Sequence, residues 1–189
     1  MSVIIDLLGS AMIGALLILM MMTFQLRLRE NAERSLYASA MVEHMDEACR
    51  KLNSVVALAG IGIAPSSVVT TAATDRMVFI TYWDYKLNIL TASSHSVEIS
   101  LEDSGTDYGD ILTITQDGEV LPAPYIFYIE DITFKYYTKL DQLTTTASTV
   151  RSTEMLLTFR KDAPMTQGQP LRSMVQIRCY LMNSYMRGA

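Results

Sequence analysis

Asp6 is the single charge in front of an apolar segment, Leu7–Phe24 (LLGSAMIGALLILMMMTF), that contains no charged residue. A carboxylate at the edge of such a segment is costly in hydrocarbon. It is tolerated where it reaches the headgroups or meets a cation. A second acidic cluster, Glu102-Asp103-Ser104-Gly105-Thr106-Asp107-Tyr108-Gly109-Asp110, alternates carboxylates with glycines. Asp103, Asp107 and Asp110 are the kind of oxygen donors that wrap a hard cation such as calcium. Their spacing departs from the EF-hand, and a solvated hairpin loop is the simpler reading. Cys49 and Cys179 can form a disulfide if the last strand packs across the helix that holds Cys49; two free buried thiols are the alternative. His44, on a helical stretch, and His95, in the Ser-rich Ser93-Ser94-His95-Ser96, read as surface residues. The chain has no GxSxG, P-loop, HExxH, CxxC or dinucleotide fingerprint, so neither an enzyme nor a bound cofactor is expected.

These groups belong to a chain of 189 residues with formal net charge −5, of which 50% are hydrophobic and 19% charged. That balance excludes intrinsic disorder, which combines few apolar residues with high net charge. Acidity, and the lack of any basic run, argue against nucleic-acid binding. Two cysteines are too few for a disulfide scaffold. The mean hydropathy of +0.21 is high for a soluble protein, and Leu7–Phe24 accounts for most of the excess. An uncharged apolar run of about 18 residues is long enough to cross a bilayer as a helix. A secretory signal fits less well: the residues before the run are acidic, and Ala38-Ser39-Ala40 lies too far downstream for cleavage.

The helical pattern continues past the apolar run. No Pro or Gly occurs from Gln25 to Val56, and apolar residues recur at Tyr37, Met41, Met45, Ala48, Leu52 and Val56. That spacing marks one face of an amphipathic helix. Arg29, Glu30, Glu33, Arg34, Glu43, Asp46, Glu47, Arg50 and Lys51 occupy the others. Gly60, Gly62 and Pro65 end it. A continuous helix from about Val3 to Val56 would extend roughly 80 Å, too long for one small domain to cover. After Pro65 the period becomes two. Strands are expected at Met77–Trp83, Val97–Leu101, Ile111–Thr115, Ile129–Tyr137, Met155–Arg160 and Met174–Met182, with a hairpin turn at Asp117-Gly118. No βαβ alternation is present. The expected fold is therefore α+β, a long N-terminal helix whose amphipathic half lies on an antiparallel sheet. Three segments follow: an apolar helix at 1–28, its amphipathic continuation at 29–64, and a β-rich domain at 65–189.

In these residues the chain resembles the type IV pilins and pseudopilins. The N-terminal match is Ser2-Val3-Ile4-Ile5-Asp6-Leu7-Leu8 and the apolar stretch through Phe24. The later layout is similar to the larger, PilW-type minor pilins. It includes Leu58-Ala59-Gly60-Ile61-Gly62 after the helix, Ile129-Glu130-Asp131-Ile132-Thr133-Phe134-Lys135-Tyr136, and Val175-Gln176-Ile177-Arg178 in the last strand. The resemblance implies a structural subunit that waits in the cytoplasmic membrane with its β-domain outside. It is then drawn into a pilus or secretion filament by a membrane assembly platform. Its partners would be lipid first, then copies of itself or other pilin-like subunits. Asp6 would pair with the amino terminus of a neighbouring subunit, at Ser2, and Gly14 would be a point of local helix loosening. Family members normally begin with a short basic leader cut by a prepilin peptidase. Either this numbering describes a processed form or the chain is not cleaved in the usual way; counted from Ser2, the acid falls where the family has it. Arg27, Arg29 and Arg34 follow the apolar run and would by themselves place the C-terminal half in the cytoplasm; a basic leader would reverse that balance.

Overall fold

The computed structural model describes residues 2–103, 109–122, 127–161 and 170–187. Helix α1 runs unbroken over Ser2–Ala57, matching the span expected from the sequence to within a residue at either end. At 1.5 Å per residue it is roughly 80 Å long. Among the described residues nine strands follow: β1 (Val69–Ala72), β2 (Arg76–Asp84), β3 (Ile89–Glu102), β4 (Asp110–Gln116), β5 (Glu119–Val120), β6 (Phe127–Ile129), β7 (Asp131–Tyr137), β8 (Ser152–Lys161) and β9 (Leu171–Tyr180). A short helix, α2, covers Met182–Arg187. All described strand pairs are antiparallel.

The strands form two sheets. The larger has the order β1-β2-β3-β4-β5 with β6 also paired to β4, and the smaller is β7-β8-β9. The sequence reads Ile129–Tyr137 as one strand, but the chain changes sheets within it. Ile129 pairs with Asp110 in the larger sheet, and Asp131 pairs with Thr158 in the smaller. Glu130 is the hinge between them, its N–H donating to Thr158 O at 2.7 Å. Alternation continues on both sides of this switch, so the pattern alone does not reveal it. The structure also adds β1, too short to stand out, and extends β3 back through the Ser-rich segment to Ile89.

The core lies between the sheets and the second half of α1. Phe79, Ile99, Leu112, Ile114 and Ile129 come from the larger sheet, and Phe134, Met155, Leu157 and Phe159 from the smaller. On α1, Met41, Ala48, Leu52, Val55 and Val56 are buried, following the predicted stripe, and the helix packs against β8 and β9. The Tyr136 hydroxyl joins the sheets, sharing its proton between Ala73 O at 2.7 Å and Arg76 O at 3.0 Å.

The end of α1 is closed by distant side chains, because the last carbonyls of a helix have no partner within it. Tyr85 Oη donates to Val55 O at 2.7 Å, Thr81 Oγ1 to Leu58 O at 2.8 Å, and Asn183 Nδ2 to Ala59 O at 3.0 Å. Gly60 then turns the chain at φ +75° and donates its N–H to Ile80 O at 2.9 Å. A Cβ at Gly60 would lie 2.6 Å from Val68 Cγ2. Both its left-handed backbone and this close approach require glycine. Gly60→Ala is expected to destabilise the fold by about 1–3 kcal/mol, lowering the melting temperature of the full chain in detergent by several degrees. An unchanged melting curve would show that the α1–β2 junction does not depend on this turn.

Candidate functional site

The first half of α1 is the chain's most unusual surface. From Leu7 to Phe24 the large apolar side chains are 58–71% exposed, on every face of the helix. By length and composition α1 can cross a membrane. The few polar groups within the stretch turn inward to its own backbone. Ser10 Oγ donates to Leu7 O and Thr23 Oγ1 to Met20 O, each at 2.9 Å. Hydroxyls satisfied this way need no water, which suits a helix meant for an apolar medium. Charge begins beyond Phe24: Arg29 pairs with Glu33 at 3.2 Å, and Arg50 pairs with Asp46, both one helical turn apart. These exposed pairs contribute only a few tenths of a kcal/mol each, and they lie on the solvated faces of the amphipathic half.

The backbones of Ser2 and Asp6 belong to α1, one turn apart, with their side chains outside the described residues. Gly14 lies in unbroken helix, and a Cβ there would meet nothing within 4 Å. Asp103 and Asp110 flank the β3–β4 connection, and Asp107 lies outside the described residues. Among the described residues no three His, Cys, Asp or Glu side chains converge as a metal site would need. Cys49 and Cys179 line one small cavity where α1 meets β9, both as free thiols.

Neither histidine is the plain surface residue expected. His44 is half-buried between α1 and the sheets, its ring 5.7 Å from Phe127 and 5.9 Å from Phe159, centroid to centroid. His95 Nδ1 lies 2.7 Å from Asp117 Oδ2, and its Nε2 lies 3.0 Å from Thr91 Oγ1. Asp117 Oδ1 also accepts the Ser96 N–H at 2.9 Å. The Asp117-Gly118 signal correctly places the β4–β5 turn, with φ +54° and +83°. Nothing in the sequence shows that β3 extends far enough to set His95 beside it. Arg178 was legible only as part of a strand motif. Its guanidinium sits 4.4 Å from the Tyr137 ring centroid and 5.3 Å from that of Tyr180, bonded to Asp141 and to Ser152 Oγ. The cation thereby ties the β7–β8 loop to β9.

Burial works to raise the Asp117 carboxyl, but hydrogen bonds from His95 and the Ser96 N–H, with the nearby His95 and Lys86 charges, hold it below the ordinary aspartate range. A carboxyl depressed in the folded state stabilises above its unfolded value of about 3.9. That stabilisation is lost as pH falls from there through the lower folded value. Asp117→Asn should therefore lower the melting temperature at neutral pH and flatten its fall in acid. Parallel acid limbs for the two proteins, measured by thermal denaturation between pH 2 and 7, would contradict the assignment.

No protein-family model and no curated protein matches the sequence. Among solved structures, a type IV-like pilin from Thermus thermophilus is similar, with a TM-score of 0.51 at 9% identity. The match covers 75% of this chain and 97% of that one. So low an identity speaks for the fold and not for particular residues. A long apolar helix whose second half packs on antiparallel sheets is thus, in this chain, the fold of a type IV-like pilin.

Proposed function

We propose that the protein is a structural subunit, not an enzyme, and that it assembles through α1 into a type IV pilus or a related secretion filament. The observation that carries this reading is the division of α1. Its second half is docked on the sheets, while its first half offers apolar side chains on every face that none of the described residues covers. Such a surface needs another apolar solvent. A bilayer supplies one and a bundle of like helices another, so transfer between them costs little burial. Before assembly the protein sits in the cytoplasmic membrane with its β-domain outside. A membrane assembly platform then passes it to copies of itself or to other pilin-like subunits. Loops of the β-domain are left to make surface contacts.

Asp6 takes the directional role in this reading. A carboxylate entering a bundle core needs a cation, and the amino terminus of the neighbouring subunit, near Ser2, supplies it. Gly14 lowers the local cost of bending the helix during packing. Leaving one charge of a buried pair alone costs about 3–5 kcal/mol. Asp6→Ala is therefore expected to cut recovery of the protein in sheared filament fractions by more than tenfold, while its amount in the membrane is unchanged. Undiminished incorporation of the variant, in cells that make filaments, would remove Asp6 from assembly. Recovery of the native protein only from detergent-extracted membrane would instead favour a membrane-anchored β-domain that does not polymerise.

A further inference from the structure

Along β9 the residues Val175, Ile177 and Cys179 alternate with the exposed Met174, Gln176, Arg178 and Tyr180. The first set lies on the side that α1 packs against. Cys179 is 2% exposed and stands opposite Thr153 of β8. Cys49 lies next to Ala48, which is fully buried and small enough for the helix backbone to approach the sheet closely. The two thiols are walls of the same cavity of about 280 Å³, completed by Arg50, Asn53, Ile177 and Arg178. Burial pushes the Cys179 thiol up to about 12, and Cys49 adds to the rise.

We propose that Cys49 and Cys179 are an oxidisable pair whose disulfide staples α1 to β9. A disulfide needs Cα atoms within about 7 Å and converging Cβ atoms, and the two residues come from packed elements and line one cavity between them. Cys49 is the less buried of the two and is the thiol a reagent reaches first. Its thiolate attacks one sulfur of a small-molecule disulfide, forming a mixed disulfide and releasing one thiolate. The Cys179 thiolate then attacks the Cys49 sulfur and expels the second. The two protein thiols lose two electrons, the reagent's disulfide is reduced to two thiols, and the protein's two protons go to those leaving groups. The bond closes a loop spanning nearly the whole β-domain, which restricts the unfolded chain strongly. It also fastens the β-domain covalently to the helix that bears the apolar rod. This assignment does not rest on the filament reading, since it concerns one chain by itself.

The test uses the full native chain in detergent, treated with oxidised glutathione, quenched with an alkylating reagent, and weighed intact. The expected product is two hydrogens lighter than the reduced chain, with neither glutathione nor alkyl groups attached. It should melt several degrees higher and take two alkyl groups after reduction. Cys179→Ser should instead keep one glutathione on Cys49, the first step trapped. Two alkylated thiols after oxidation, glutathione retained on the native chain, or a covalent dimer would each overturn the proposal.

Discussion

The C-terminal end of α1 must be closed by groups that lie far away in sequence, and much of the architecture follows from how this is done. Unpaired carbonyls at a buried helix end are expensive. Tyr85 follows β2, Thr81 lies within it, and Asn183 is in the first turn of α2. These bonds position β2 and α2 against one helix terminus. The Gly60 and Gly62 turns then lay the following chain against Val68 and Tyr82. The result is a firm joint between a rod that presents apolar side chains to its surroundings and a domain that is otherwise conventional. A loose joint would let the rod's apolar surface compete for the domain's own core.

The second constraint is the seam between the sheets. Glu130 lets a continuous hydrophobic alternation serve two sheets, and Tyr136 bonds back across the seam to the β1–β2 turn. Burial raises the Tyr136 hydroxyl well above its usual value, and nearby Asp75 adds to this. It therefore stays a neutral donor at physiological pH. Leu52 and Val56 of α1 belong to one buried cluster with residues of both sheets.

Likeness to a solved pilin at 9% identity is intelligible in these terms. A pattern can be kept by many residue choices. Any apolar residues will serve a rod that lies in apolar surroundings, and any period-two alternation with suitable volumes will fill the space between sheets. The polar detailing of this chain, such as the Asp117–His95 pairing or Arg178 between Tyr137 and Tyr180, fastens loops without specifying the fold.

The long helix, its change from all-round apolar to one apolar stripe, and most of the strands are legible in the residues alone. Those features depend on local periodicity and on where Gly and Pro interrupt it. Met41, Ala48, Leu52 and Val56 were legible as core, and Asp117-Gly118 as a turn, for that reason. Packing alone sets Ile129 and Asp131 in different sheets, His95 beside Asp117, Asn183 at the end of α1, and Cys49 and Cys179 on one cavity. Each of these joins residues from separate segments, and strand order and register set their distance. Periodicity carries no information about which strand will be a neighbour; packing does.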